Sequence, residues 1–311
     1  MSPIPAPSPT VADAVAALRA GSLVAFPTET VYGLGADVGS QEAIAALYAV
    51  KGRPHDHPVI VHVAPSADLD AWARDPSDDA RALAAACWPG PLTLVVHRRP
   101  GTVVDAVTGG RATVGLRIPA APIAVELLEA FGGGIAAPSA NRFGRVSPTT
   151  AADVRSDLGE DVGVVLDGGP CRVGVESTIV DCTSGRAALL RPGGLAVAAI
   201  EAVLGRPLRT DSTTAAPGTL PAHYAPRARV VLVETDDIDG MDREVSVLTA
   251  AGARVAVLDL GDDVDAYARE LYARLRAADR DAAEFVVARL PDPAGVGLAV
   301  RDRLQRAAAS T

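Results

Sequence analysis

Of the 29 basic residues in this chain of 311, only one is a lysine, Lys51. A sequence that uses arginine everywhere else has no shortage of cations, so a single retained ammonium marks a position that wants a compact, rotatable point charge rather than a planar fork. Cysteine is equally sparse. Cys87, Cys171 and Cys182 are odd in number and form no Cys-x-x-Cys pair, which excludes a disulfide framework and a zinc ribbon and leaves reduced, buried thiols. Aromatic residues make up 4% of the chain, too few for the stacking platforms that grip single-stranded nucleic acid. The net charge of -9 argues against broad, salt-driven attachment to nucleic acid, although a small basic pocket stays open. No stretch reaches the ~20 consecutive apolar residues of a membrane span. The proline-rich start, Met1 to Thr10, lacks the regions of a secretory signal, so it reads as a loose leader on a cytoplasmic protein.

What is present is an alternation of helix-like and strand-like segments with no internal repeat, the pattern of an α/β protein. Helices are expected over Val11–Ala20, Gln41–Val50, Asp78–Cys87, Ile123–Phe131 and Val197–Leu204. Strands are expected over Ser22–Phe26, Val59–Val63, Leu92–His97, Thr113–Ile118, Gly134–Ala137, Val162–Leu166, Thr178–Asp181 and Ala187–Leu190. These make a first domain over 10–205. Periodicity then vanishes and Pro, Thr, Ala and Ser dominate over 206–228, a linker long enough to be functional or disordered. Three buried strands, Arg229–Glu234, Arg254–Leu260 and Glu284–Leu290, alternate with helices over Arg243–Ala251, Val264–Ala278 and Val296–Ala308 in a small second α/β domain over 229–311.

Polar, glycine-rich and proline-rich clusters fall at strand ends and loops of the first domain, where α/β sheets place ligands. They are Pro27-Thr28-Glu29-Thr30-Val31-Tyr32-Gly33-Leu34-Gly35, Lys51-Gly52-Arg53-Pro54, Thr113-Val114-Gly115-Leu116-Arg117, Pro138-Ser139-Ala140-Asn141 with Ser147, and Gly174-Val175-Glu176-Ser177-Thr178 with Arg191-Pro192-Gly193-Gly194. A dinucleotide fingerprint fails because Val38 stands where its third glycine belongs, and Lys51 lacks the glycine spacing of a P-loop. His55, His57 and His62 lie in an extended, proline-containing segment without a cysteine pair, a poor zinc site. No Gly-x-Ser-x-Gly elbow supports serine hydrolysis. The remaining donors, Lys51, Arg53, Arg117 and Arg191 with Ser139, Asn141, Ser147 and Ser177, suit anions. Composition and spacing therefore stop at an α/β enzyme that handles phosphate or carboxylate.

At these clusters the sequence resembles the threonylcarbamoyl-AMP synthase family, of YrdC-like fold. The phrases that carry the likeness are Phe26 to Gly35, Lys51-x-Arg53-Pro54, Trp88-Pro89-Gly90-Pro91-Leu92-Thr93, Ala137 to Asn141 and Glu176 to Asp181, in the family's order and spacing. The segment Ala216 to Pro226 and the small domain resemble its two-domain form. The resemblance implies a twisted, open, mixed sheet followed by a smaller, Rossmann-like α/β domain. It also implies a reaction: L-threonine, bicarbonate and ATP give L-threonylcarbamoyladenylate, pyrophosphate and water, and the adenylate feeds N6-threonylcarbamoyl modification of tRNA through separate transfer proteins. Direct binding of tRNA would be weak or absent.

By the same resemblance, Thr30, His62, Arg117, the backbone of Ala137, and Ser177 would bind threonine. Arg53, His57, Thr113, Ser139, Ser147, Arg191 and Tyr224 would bind ATP. Lys51, Arg53, Ser139 and Asn141 would carry the chemistry, with Lys51 on phosphate or bicarbonate oxygens. Mg2+ would arrive with ATP, held by substrate oxygens and water rather than by a carboxylate cage. His57 stands where several relatives have Asn, which implies nucleotide affinity that depends on pH near neutrality. Tyr224 can reach ATP only if the linker folds back as a lid over the first domain. Two other readings are an RNA-binding module without catalysis, and a carbamoyl-transfer domain like that of hydrogenase maturation proteins, whose zinc fingers this chain has no cysteine pairs to build.

Overall fold

The structure, a computed structural model, describes residues 8–218, 224–237 and 239–310. Most of the leader, residues 1–7, and His223 of the linker lie outside the described residues. The first unit runs α1 (Val11–Arg19), β1 (Val24–Phe26), β2 (Gly33–Asp37), α2 (Gln41–Lys51), β3 (Ile60–His62), α3 (Leu69–Trp72), α4 (Asp78–Cys87), β4 (Leu92–His97) and α5 (Asp105–Thr108). It continues with β5 (Thr113–Arg117), α6 (Pro122–Phe131), β6 (Ile135–Ala136), α7 (Ala151–Leu158), β7 (Val164–Val165), β8 (Thr178–Asp181), β9 (Ala188–Arg191) and α8 (Val197–Leu204). The second unit is β10 (Arg229–Val233), α9 (Gly240–Ala250), β11 (Val255–Leu258), α10 (Val264–Arg280), β12 (Phe285–Arg289) and α11 (Gly297–Ala308).

The first sheet has the order β7-β1-β2-β6-β3-β5-β4-β8-β9. It is mixed: β3 is parallel to β5 and β4 to β8, while β2, β6 and β3 pair antiparallel in succession. Successive side chains leave a strand on opposite faces, and β1 uses this to feed two cores. Ala25 packs with Leu47 of α2 and Leu83 of α4, whereas Val24 and Phe26 pack with Leu18 of α1 and Leu127 of α6. Each such fully buried large side chain contributes roughly 1.5 to 3 kcal/mol. The result is a sheet covered by helices on both faces. The second sheet, β10-β12-β11, is wholly parallel, and its core takes in Val31, Val146 and Val175 of the first unit.

Three local features depart from the pattern expected from sequence. Gly33-Leu34-Gly35 is not a loop but lies in β2, deep in the sheet. A Cβ at Gly35 would come within 2.8 Å of the Ile135 side chain and 2.9 Å of the Phe26 ring, so this glycine serves close strand packing and not a phosphate turn. Helix α7 is absent from the expected pattern although Thr150 and Asp153 form a capping box at its start. The single-turn helices α3 and α5 are too short to show a periodicity. The linker has no helix or strand over its described part, but it is not a free tether. Leu189 donates its N–H to the Arg209 carbonyl at 2.7 Å, and the Asp181 carboxylate accepts from the hydroxyls of Ser212 at 2.6 Å and Thr214 at 2.7 Å. Further on, Ala225 donates to the Gly144 carbonyl at 2.9 Å.

Candidate functional site

A single cleft gathers most of the donors expected from sequence: Thr30, Lys51, Arg53, His62, Arg117, Ala137, Ser139, Asn141, Ser177, Arg191 and Tyr224 all line it. It is lined by Ile60 and His62 of β3, by Arg117 of β5 and by Ala137 just past β6, and Pro217, Gly218 and Tyr224 of the linker form part of its wall. Elements far apart in sequence deliver these side chains for local reasons. Ser40 caps α2 at its start and Gly52 ends it in the left-handed conformation at φ 64°, which leaves Lys51 in the last turn, where the helix dipole favours a cation. In the parallel pair β3/β5, His62 stands opposite Arg117.

Lys51 is 2% exposed. Its ammonium donates to the carbonyl oxygens of Ser139 and Asn141, the latter at 2.6 Å. Two of its three donors thus fasten the Pro138–Asn141 loop, and one remains for a ligand. Burial, and then the charge of Arg53, hold its pKa well below the usual lysine value. Arg53 donates to the Pro58 carbonyl at 2.9 Å and lies over the Phe143 ring.

Arg117 is pinned by two bonds: Nη2 to the Glu29 carboxylate at 2.7 Å and Nε to the Gly90 carbonyl at 3.3 Å. Its Nη1 has no hydrogen bond among the described residues and remains for an anion. Burial alone would raise the Glu29 pKa, but the Arg117 charge and hydrogen bonds outweigh it and keep the carboxyl ionised. Burial, and then Arg117, push His62 down to about 3, so its imidazole is neutral. Thr30 and Thr28 share a hydroxyl contact at 2.8 Å, as do Ser177 and Thr93.

Five described side-chain polar atoms are buried without a hydrogen bond, and three belong to the cleft: His62 Nδ1, Asn141 Oδ1 and Arg191 Nε. A buried polar atom left unpaired costs about 1 to 3 kcal/mol, so three in one cleft point to a ligand that satisfies them. Asn141 differs from the expected phosphate donor. Its amide N–H groups go to the carbonyls of Arg142 at 2.7 Å and Arg145 at 2.9 Å, so what it offers is an acceptor. Arg191 is likewise committed, with Nη1 donating to the Pro217 carbonyl at 3.0 Å and the Tyr224 hydroxyl at 3.2 Å, and Nη2 to the Ser177 carbonyl at 2.9 Å. In this structure it clasps the linker.

Three expected ligand residues do not line the cleft. Thr113 begins β5 opposite His97, four residues and about 13 Å of strand from Arg117. Ser147 is buried but its hydroxyl donates to Glu176 at 2.7 Å. His57 stands one layer back, its ring edge against Phe143 at 5.8 Å. Burial, and then Arg53, lower its pKa below the usual 6.5, so its titration moves away from neutrality instead of sitting there.

Sequence reading passed over the two buried carboxylates that organise the cleft, Glu29 and Glu176. Glu176 lines it and accepts from Ser147, from Tyr272 at 2.8 Å and from Arg303 Nε at 2.7 Å. Burial alone would raise its pKa, yet the charges of Arg303 and Arg191 and these bonds bring it down to about 2. Both carboxylates are thus occupied by arginines. Among the described residues no group of three or more His, Cys, Asp or Glu could hold a metal ion, and no helix is long and apolar enough to cross a membrane.

Known proteins resemble this chain in sequence and fold. Residues 16–193 match the Sua5/YciO/YrdC family, described as telomere recombination, and residues 195–309 match the threonylcarbamoyl-AMP synthase C-terminal domain. The threonylcarbamoyl-AMP synthase of Pyrococcus abyssi is 41% identical, with 93% of this chain and 91% of that protein aligned. That of Bacillus subtilis is 37% identical over 96% and 93%. The crystal structure of Pyrococcus abyssi Sua5 complexed with L-threonine superposes with a TM-score of 0.90 at 39% identity, covering 96% of this chain and 94% of that one. A full-length HypF, in a phosphate- and nucleotide-bound form, shares the fold alone, with a TM-score of 0.53 at 19% identity over 61% of this chain and 30% of its own. The chain therefore belongs to the threonylcarbamoyl-AMP synthase family, in the form that carries the C-terminal domain.

Proposed function

We propose that this protein condenses L-threonine, bicarbonate and ATP into L-threonylcarbamoyladenylate, releasing pyrophosphate and water. The observation that carries the reading is the meeting in one cleft of Lys51, Arg53 and Arg117 with three unpaired buried atoms, on His62, Asn141 and Arg191. The threonine carboxylate would pair with the free Nη1 of Arg117, a charge-assisted contact, beside Thr30, Ser177 and the neutral His62. The amine nitrogen attacks the carbon of bicarbonate, water leaves, and a carbamate results. A carbamate oxygen then attacks the α-phosphorus of ATP, and the bond to the β-phosphate oxygen breaks as pyrophosphate departs. Such a displacement needs no covalent nucleophile from the protein. It needs alignment and neutralised charge.

Lys51 and Arg53 would supply that charge at the phosphates, with Ser139 as a hydroxyl donor and the Asn141 oxygen as an acceptor for a nucleotide or threonine N–H or O–H. Because Glu29 and Glu176 are taken by arginines, Mg2+ would enter as part of the nucleotide, held by phosphate oxygens and water. Tyr224 and the linker would shield the labile adenylate from solvent. The product would pass to separate proteins that modify tRNA in the cytoplasm. Pyrophosphate release measured with each substrate omitted in turn tests the reading. Release only with all three supports it, and release without threonine or bicarbonate defeats it.

A further inference from the structure

The second domain reaches the cleft carboxylate Glu176 through Tyr272 of α10 and Arg303 of α11, and only Arg303 brings a charge to it. Arg303, on α11, is 0% exposed and stands where four parts of the molecule meet. Its Nε donates to the Glu176 carboxylate at 2.7 Å, its Nη2 donates to the Pro192 carbonyl at 3.1 Å, and its Nη1 pairs with neighbouring Asp302. Its guanidinium also lies over the Tyr224 ring, 4.9 Å from the centroid. Glu176 and Tyr224 both line the cleft, and Pro192 follows Arg191, which clasps the linker. Arg303 itself does not line the cleft. A buried ion pair that only filled the core could be exchanged whole for apolar side chains at little loss. Arg303 instead holds a cleft carboxylate, the turn behind a cleft arginine, and the linker ring together.

We propose that Arg303 is a positioning residue for the nucleotide end of the cleft, through which the second domain sets the affinity for ATP. The inference rests on the functional reading above and adds a role for the second domain. It acts in two ways. It neutralises Glu176, whose bare carboxylate would otherwise face the phosphates of an incoming nucleotide. It also fixes Tyr224 and the Arg191–Pro192 turn in register with each other. The charged and titratable groups around Glu176 are Arg303 and Asp302 from α11, Tyr272 and Arg276 from α10, Arg191 from β9, and Tyr224 from the linker. Of these, Arg303 alone donates directly to the carboxylate with a full charge. Without it, Glu176 keeps the hydroxyls of Ser147 and Tyr272, and burial drives its protonation toward neutral pH.

The test uses the full-length chain and steady-state pyrophosphate release, with ATP and threonine varied separately between pH 6 and pH 8.5. For Arg303→Met the KM for ATP is expected to rise about ten- to a hundred-fold, as for a displacement of about 1 Å, while the KM for threonine changes less than about two-fold. The rise should grow with pH as Glu176 releases its proton and repels the triphosphate, whereas the wild type shows no such limb. Arg303→Lys, which keeps the charge but not the fork, should restore the flat pH profile and part of the affinity. If Arg303→Met does not fold, the double variant Glu176→Gln with Arg303→Met removes both charges. It should show weak ATP binding without pH dependence, because the fork is still missing. A wild-type KM for ATP in Arg303→Met or in the double variant overturns the proposal. So does an equal rise for ATP and threonine with an unchanged pH profile, which a merely structural role would give. A wild-type protein that releases no pyrophosphate with all three substrates defeats the functional reading, and the inference falls with it.

Discussion

Replacing Gly193 by alanine adds one methyl group where the structure has no room for it. The new Cβ would sit 2.3 Å from the Ser177 carbonyl carbon, 2.3 Å from the Thr178 nitrogen and 2.4 Å from the Glu176 oxygen. All three neighbours are backbone, and ordinary contact needs about 3.5 Å, so the two segments must part by about 1 Å. Residues 176–178 are the less able to yield. Thr178 pairs with Leu92 on β4, and its N–H donates to the Pro91 carbonyl at 2.9 Å. The Arg191–Gly194 turn therefore backs away, taking Arg191 and the Pro192 carbonyl that Arg303 holds. Strain of this kind costs about 1 to 3 kcal/mol, which for a chain this long lowers Tm by about 2 to 5 °C. A 1 Å misplacement of cleft groups lowers turnover by up to about a hundred-fold. Scanning calorimetry and pyrophosphate release measure the two effects. Gly185→Ala is the control, since a Cβ there meets nothing within 4 Å. A Gly193→Ala protein with wild-type Tm and turnover would refute the close approach of the two segments and the coupling drawn from it.

Lys51→Ala should lower turnover by about a hundred-fold or more, and Lys51→Arg should not rescue it, because a planar fork cannot bond two carbonyls of one loop and a ligand as an ammonium does; wild-type turnover in either variant contradicts the role of the sole lysine. Glu29→Gln leaves the buried Arg117 without its countercharge and should destabilise the protein by about 3 kcal/mol. Threonine, whose carboxylate replaces that charge, should then raise the Tm of the variant more than that of the wild type in a thermal shift assay. His62 titrates near 6.5 when unfolded and about 3 when folded, so the unfolded state binds the extra proton and stability falls as pH drops from about 6.5 toward 3, by roughly 3 to 5 kcal/mol in all. Glu176, lowered to about 2, adds its own loss below about 4.5. Urea unfolding between pH 7 and pH 4 should therefore show His62→Gln gaining on the wild type as the solution is acidified, and a constant difference would count against the buried neutral imidazole.

What could be read from the sequence was whatever is local in the chain. Alternating and helical periodicity located the β4, β5, β8 and α10 segments, and the polar clusters at Lys51, Ser139 and Arg191 stood out against a nearly lysine-free background. What could not be read depends on distance. Glu29 meets Arg117 across 88 residues and Glu176 meets Arg303 across 127, so nothing near either carboxylate in sequence marks it as paired. Arg301, Arg303 and Arg306 look alike on one helix, and only packing turns Arg303 inward. Thr113 and Arg117 share a strand, but strand length separates them. For Ser147, a hydroxyl in a loop does not reveal in sequence whether protein or ligand takes its proton, and here Glu176 takes it. Helix α7, by contrast, carries a local mark in its Thr150 and Asp153 capping box.

The most direct measurement is a crystal structure of the protein with L-threonine and a non-hydrolysable ATP analogue. The account predicts the threonine carboxylate within about 3 Å of the Arg117 guanidinium and the phosphates against Lys51 and Arg53, with Tyr224 closing over the nucleotide. Threonine and nucleotide bound in separate places, or a cleft left empty with the ligands elsewhere, would contradict it.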